Sequence, residues 1–298
     1  MNKQLRGIAS LLLATIIWGS AFISQSIGMD HISAFAFQSI RCFLAVLGLI
    51  LVIAVTDLFK KDGKTFFSRW ADPKLWKAGI LCGIPLFLAC NLQQLGLTET
   101  SPGTSGFLTA MYIIIVPVLG IFTKKKPSIT VPISVVLAVL GLYCISFAGV
   151  PKISNGDILT IACAFMFAVQ IIFVDKYAPS VDALRLNAIQ ALVCSVISTV
   201  IMLCTELPTP EGIYRCAIPL AHAGFLSMGA AYALQIIGQK YVEPTAASLI
   251  MSLESVFALV FGILLLGETV DLWKGIGCCL MFAAVILSQI SVGKKKGA

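Results

Sequence analysis

A chain of 298 residues in which 58% are hydrophobic and only 12% charged cannot clothe itself for water. Soluble domains carry about 25% charged residues, whereas mean hydropathy here is +0.97. Apolar runs of about 20 residues, the length a helix needs to cross a ~30 Å hydrocarbon core, follow one another with charge crowded between them. The composition excludes a water-soluble enzyme and a nucleic-acid-binding domain, despite a net charge of +7. It predicts an all-α integral membrane protein.

Ten transmembrane helices are expected, at residues 7–29, 33–55, 76–97, 102–122, 129–149, 157–175, 183–204, 217–238, 244–266 and 272–292. Most connections are a few residues long, as between neighbouring antiparallel helices; the longest is 56–75. Lys3 and Arg6 before an apolar run imitate a signal peptide. The run is long and lacks a small-residue cleavage site, so it reads as a retained first span.

Lysine and arginine set the orientation. With a cytoplasmic N-terminus, the inner segments hold Lys3, Arg6, Lys60, Lys61, Lys64, Arg69, Lys74, Lys77, Lys124–Lys126, Lys176, Arg185, Lys240 and Lys294–Lys296, or seventeen of the 21 basic residues. Lys152, Arg215 and Lys274 are outside, and Arg41 is inside a span. Both termini are therefore expected in the cytoplasm of a cell (plasma or inner) membrane. The basic pI then reflects topology, with attraction to anionic lipid as a by-product.

The ten cysteines sit mostly in or at the ends of apolar spans without a CxxC pair, and His31 and His222 fall in or near outer loops. The cysteines read as small apolar fillers, with no metal or cofactor expected.

Residues 1–150 and 151–298 resemble each other. A shift of 149 pairs Trp18 with Phe167, Ala34 with Ala183, Arg41 with Gln190 and Asp57 with Glu206; farther on, a shift of 145 pairs Gln94 with Gln239 and Thr100 with Thr245. Five spans per half is odd, so the second half must enter the membrane from the opposite side. The fold expected is two inverted five-helix repeats, an arrangement recurrent in secondary transporters.

Two charges lie deep in spans, Arg41 and Glu254, and each costs at least ~2.5–3.5 kcal/mol at mid-span. At ~1.5 Å per residue, Arg41 is ~12 Å below the outer edge and Glu254 ~14 Å above the inner edge. A direct or water-bridged pair is one expectation. Others are a packing role for Arg41, and a cation or proton site at Glu254. Uncharged polar residues fall on single helix faces: Trp18 and Gln25 seven apart, and Asn91 and Gln94, Thr109 and Tyr112, and Tyr232 and Gln235 three apart. Gln170 lies deep in the sixth span. Together with Glu254 they are the expected substrate-binding set, suited to small polar or zwitterionic molecules. Inter-helix hydrogen bonding is the alternative for each. Pro85, Pro117 and Pro132 fall inside or near the starts of spans and are candidate kinks.

The pattern Leu13-Ala14-Thr15-Ile16-Ile17-Trp18-Gly19-Ser20-Ala21-Phe22 resembles the opening signature of EamA-like members of the drug/metabolite transporter superfamily. Arg41-Cys42-Phe43-Leu44-Ala45 resembles that family's second span. Gly106-Phe107-Leu108-Thr109-Ala110-Met111-Tyr112 with Val116-Pro117 resembles its fourth, and Ser252-Leu253-Glu254-Ser255-Val256-Phe257-Ala258 with Gly267-Glu268 its ninth. Two departures stand out: Ser255 replaces a common proline, and Lys124 stands where the second half has Leu266-Gly267-Glu268. The resemblance implies a ten-helix bundle with a central cavity lined by spans 1, 3, 4, 6, 8 and 9. It also implies alternating access. The function expected is a secondary transporter of small polar metabolites, an exporter of amino acids or related compounds, with proton coupling and solute exchange both open. No HExxH, P-loop or nucleophile elbow points to an enzyme. A passive channel is the main alternative, ahead of a membrane enzyme or receptor.

Overall fold

The computed structural model describes residues 2–60, 63, 65–100, 102–122, 130–146, 154–267 and 272–294. Among these residues every regular element is a helix. Among the described residues, eight helices are long and apolar enough to cross a membrane: Lys3–Met29, Ala34–Leu58, Pro73–Gly96, Pro102–Gly120, Asn155–Ser180, Ala183–Thr205, Ala217–Gln239 and Pro244–Leu265. Where the fifth and tenth spans are expected stand the helices Thr130–Ser146 and Leu272–Lys294, with the apolar stretches Pro132–Cys144 and Gly275–Leu287. Lys61, Lys64, Lys124–Lys126, Lys152, Glu268, Lys295, Lys296 and the boundary at 150–151 lie outside the described residues.

The first half comprises α1 (Lys3–Met29), α2 (Ala34–Leu58), α3 (Pro73–Gly96), α4 (Pro102–Ala110), α5 (Tyr112–Phe122) and α6 (Thr130–Ser146). The second comprises α7 (Asn155–Tyr177), α8 (Ala183–Thr205), α9 (Pro210–Arg215), α10 (Ala217–Ala221), a π-helical segment (His222–Ala231), α11 (Tyr232–Gln239), α12 (Pro244–Met251), α13 (Glu254–Leu266) and α14 (Leu272–Lys294). Local chemistry sets the helix starts. The side chains of Asn2, Ser33, Asp72, Asp182 and Thr209 each accept a first-turn backbone N–H, satisfying donors a helix start leaves open. Ser154 and Asp157 form a reciprocal capping box on α7, and Pro73, Pro210 and Pro244 pre-set the first turns of their helices.

Three expected spans are not single α-helices. The fourth breaks at Met111, between α4 and α5, where Met111 N–H bonds the Leu108 carbonyl and Ile114 N–H the Met111 carbonyl, both tightened three-residue turns. The ninth breaks at Ser252–Leu253. There Ser252 Oγ donates to the Leu249 carbonyl and Ser255 Oγ to the Ser252 carbonyl, both at 2.8 Å; such side-chain bonds compete with the helical ladder. The eighth passes through the π-helical segment, a geometry frequent at functional sites. By contrast α3 runs unbroken through Pro85. His222 lies a turn inside its span and not in a loop, its ring nitrogens against Ser20 Oγ (3.1 Å) and Ser24 Oγ (3.0 Å) of α1.

In the packing, α2 lies along α8 and α6 along α14. The π-helical segment and α11 pack on α1 much as α3 packs on α7, while α4 and α5 meet α13 and α12. At the end where α2 finishes and α8 starts, buried Arg185 pairs with Asp57, which also has Lys60 Nζ at 3.2 Å and Arg69 Nε at 3.7 Å. Nearby Lys240 donates to the Val181 carbonyl at 3.0 Å. Burial lowers the Lys240 pKa below the ordinary lysine value, and Asp182 opposes this.

Candidate functional site

A central cavity opens between the two halves, with about 470 Å³ of space between its walls, mouth included. Seven expected site residues line it together with Arg41: Trp18, Gln25, Tyr112, Gln170, Tyr232, Gln235 and Glu254. The helix breaks carry the acidic end. Tyr112 is the first residue of α5 and Glu254 the first of α13, and Tyr112 Oη donates to Glu254 Oε1 at 3.0 Å. Glu254 therefore sits at a helix N-terminus, where the peptide dipoles favour a carboxylate. Its side chain is buried, with 5% exposure.

Arg41 makes a different bond. Its Nη1 donates to Gln25 Oε1 at 2.6 Å, and the Gln25 main-chain carbonyl in turn accepts from Gln94 Nε2 at 3.4 Å. Among the described residues no ion pair joins Arg41 to Glu254, so the expected direct pair is not formed: each charge is held by a neutral group on another helix. Arg41 Nε is buried without a hydrogen-bond partner, as are Trp18 Nε1 and Gln235 Oε1. These three side chains all line the cavity. Unpaired buried polar groups are costly.

A chain of amides backs Gln170 and Gln235. Gln235 Nε2 donates to Gln170 Oε1 (3.0 Å) and Gln239 Oε1 (2.9 Å), Gln170 Nε2 to Gln190 Oε1 (3.4 Å), and Gln190 Nε2 to Asn187 Oδ1 (2.8 Å). Asn187 Nδ2 closes the chain on the Met228 and Gly229 carbonyls of the π-helical segment, at 3.1 and 2.7 Å. Trp18 and Tyr232 meet edge-on with centroids 4.9 Å apart. The cavity thus has rigid aromatic sides, an amide network and two opposite charges kept apart.

Three expected residues stand off the cavity wall. Asn91 Nδ2 bonds the Phe87 carbonyl (2.9 Å) and Ser198 Oγ of α8 (3.0 Å). Gln94 serves the Gln25 backbone, and Thr109 Oγ1 accepts from Gln93 Nε2 at 3.0 Å. In this geometry all three join helices. The sequence reading omitted Gln93, Ser227, Phe22, Phe167, Ile171 and Met251, which line the cavity. A signal for Gln93 existed. Pro102 and Pro244, which open α4 and α12, stand 142 residues apart, and the same shift maps Gln93 on Gln235 and Tyr112 on Glu254. A shift of 145 hides both matches.

Eight apolar membrane-length helices among the described residues and a buried polar cavity at broken helices define a multi-pass membrane protein of the transporter class. The model of the EamA-like transporter family matches residues 5–147 and again 154–289, and the chain belongs to that family. It is 28% identical over 298 residues to an uncharacterized transporter of Archaeoglobus fulgidus, covering 97% of this chain and 88% of the relative. It is 21% identical over 306 residues to the uncharacterized transporter YoaV of Bacillus subtilis, covering 99% and 100%. A solved crystal structure with 13% sequence identity superposes with a TM-score of 0.79 over 97% of this chain and 98% of the other. That likeness concerns the fold alone.

Proposed function

We propose that this protein is a secondary transporter of small polar metabolites, an exporter of amino acids or related compounds, that works by alternating access through the central cavity. One observation carries the reading. Arg41 and Glu254 line the same cavity, and neither is neutralised by the other. Charges inside a span are expensive and usually face a polar path. A ligand with a carboxylate and an ammonium group complements both, and the unpartnered Trp18 Nε1 and Gln235 Oε1 supply further polar contacts. The chemistry is binding and release, without catalysis or a cofactor. A proton at Glu254 or an exchanged solute supplies the coupling.

The packing favours two inverted five-helix repeats. Exchanging the halves maps the α1 contact with α11 onto that of α7 with α3, and maps α2 with α8, α4/α5 with α13/α12, and α6 with α14 onto themselves. With five crossings per half the halves run in opposite senses, and the lysine and arginine bias supports a cell membrane with both termini cytoplasmic. The test is flux into proteoliposomes from purified protein, with a panel of radiolabelled amino acids. Saturable uptake that is accelerated by internal unlabelled substrate is expected. Conduction without saturation would make the protein a channel, and no flux of any amino acid would remove that substrate class.

A further inference from the structure

Two glycine pairs bring the halves into backbone contact, one at each end of the cavity helices. Near the start of α1, a Cβ on Gly7 would stand 3.0 Å from the Gly238 carbonyl oxygen, and one on Gly238 would stand 2.9 Å from the Gly7 carbonyl oxygen. Near the start of α7, a Cβ on Gly156 would stand 2.6 Å from the Gly96 carbonyl oxygen, and one on Gly96 would stand 2.9 Å from that of Gly156. Such reciprocal closeness is open only to residues without a Cβ. The pairs are counterparts under exchange of the halves, since Gly156 follows Gly7 by 149 residues and Gly238 follows Gly96 by 142.

Their fastenings differ. Across the Gly96–Gly156 contact, Glu99 Oε2 accepts the Gly156 N–H at 3.2 Å and Thr100 Oγ1 donates to Asp157 Oδ1 at 2.8 Å. Glu99 thereby caps the start of α7 from the other half, satisfying a first-turn donor and facing the positive helix end. At the other pair, the same 142-residue shift replaces Glu99 and Thr100 by Tyr241 and Val242. Val242 cannot hydrogen-bond through its side chain, and it meets Gly7 through its methyl group. Among the described residues no side-chain hydrogen bond crosses that contact.

We propose that Gly7–Gly238 and Gly96–Gly156 are the two gates of the transport path, and that their unequal fastening sets the resting state. The Glu99–Thr100 gate stays shut while the Tyr241–Val242 gate opens first. In the orientation proposed above, this protein rests closed to the outside and opens readily to the cytoplasm. The inference rests on the alternating-access reading.

Hydrogen exchange on the full-length protein in proteoliposomes tests it without any substrate. In the wild type, residues 2–8 and 238–243 should exchange faster than residues 96–100 and 154–158. The double variant Glu99→Gln, Thr100→Val should raise exchange at the second set by about tenfold, equivalent to ~1.4 kcal/mol, and slow it at the first. Gly238→Ala should do the reverse, and Gly103→Ala, whose added Cβ meets nothing within 4 Å, should change neither. If Gly238→Ala does not fold, the double variant still decides. Faster wild-type exchange at residues 96–100 and 154–158, or changes confined to the altered contact with no response at the other, would overturn the proposal. Reciprocal exchange in a protein that moves no solute would keep the gates and remove the transport reading instead.

Discussion

Glu254 and Arg41 share a cavity but not a partner, and that separation decides how their substitutions behave. Glu254→Gln keeps size and hydrogen bonding and leaves no newly unpaired guanidinium, because Arg41 is held by Gln25. Transport should fall by about tenfold or more, the effect of losing ~1.4 kcal/mol of ligand or proton binding. Its pH dependence should flatten while thermal stability holds. Full transport with an unchanged pH profile in a folded Glu254→Gln protein would end the charge-based role. Residues without shared partners usually combine additively within ~0.5 kcal/mol. The stability losses of Arg41→Gln and Glu254→Gln should therefore sum in the double variant, and a marked rescue of one by the other would show that they pair in a second conformation. Both charges were legible in the sequence because a span tolerates so few. Their partners were not, because depth along a helix says nothing of the direction in which a side chain turns.

Helices are where the sequence reading was strongest, and the way three of them break is where it was incomplete. Apolar length announces a span, but the break at Ser252–Leu253 comes from hydroxyls bonding carbonyls within the chain, which hydropathy does not register. Ser255 stands where the resembling family commonly has proline, and the helix is interrupted here all the same. Ser255 occupies the first turn of α13, where proline is tolerated best and costs here the bond from the Ser255 N–H to the Ser252 carbonyl at 3.2 Å. Ser255→Pro should thus keep the fold and transport. Val260→Pro falls in the middle of α13, where the lost helical bond and the ring clash cost ~3 kcal/mol or more. Thermal unfolding of Ser255→Pro and Val260→Pro compares the two, and equal losses would contradict the assigned break. The ion pair linking α2 to α8 escaped the sequence reading because Arg185 counted there only as a topology signal. Breaking a buried pair costs ~3–5 kcal/mol when a charge is stranded. Asp57→Asn should destabilise more than Arg185→Gln, because it leaves a guanidinium of 2% exposure with Asp182, at 3.6 Å, as its remaining carboxylate among the described residues. Removing Arg185 instead leaves Asp57 with Lys60 and Arg69. The reverse order in denaturation would show that Asp182 suffices for Arg185.

At the scale of the whole molecule, membrane, halves and cavity are bound together by one requirement, that charged connections stay in water while apolar faces stay in lipid. Leu51, Leu264 and Ile286 face outward from the bundle, as residues in contact with lipid must. The cost of carrying lysine and arginine across the bilayer then selects one orientation of the bundle over its inverse. Lys60, Arg69, Lys74, Lys77, Lys176, Arg185 and Lys240 all cluster at the end where α2, α7 and α11 finish and α3 and α8 begin. Arg215, paired with Glu211, is at the opposite end. The first end should therefore face the cytoplasm. One introduced cysteine at Ser68, on the exposed turn between α2 and α3, and, in a second variant, one at Glu211 report on the two ends, in a Cys204→Ser, Cys279→Ser background that removes the exposed native thiols among the described residues. In intact cells a membrane-impermeant maleimide should label the Glu211→Cys protein and spare Ser68→Cys, and in inverted vesicles the pattern should reverse. Labelling of Ser68→Cys from outside intact cells would invert the topology. It would also exchange the sides served by the two glycine gates, leaving their unequal strength in place but turning a protein that opens first to the cytoplasm into one that opens first to the exterior.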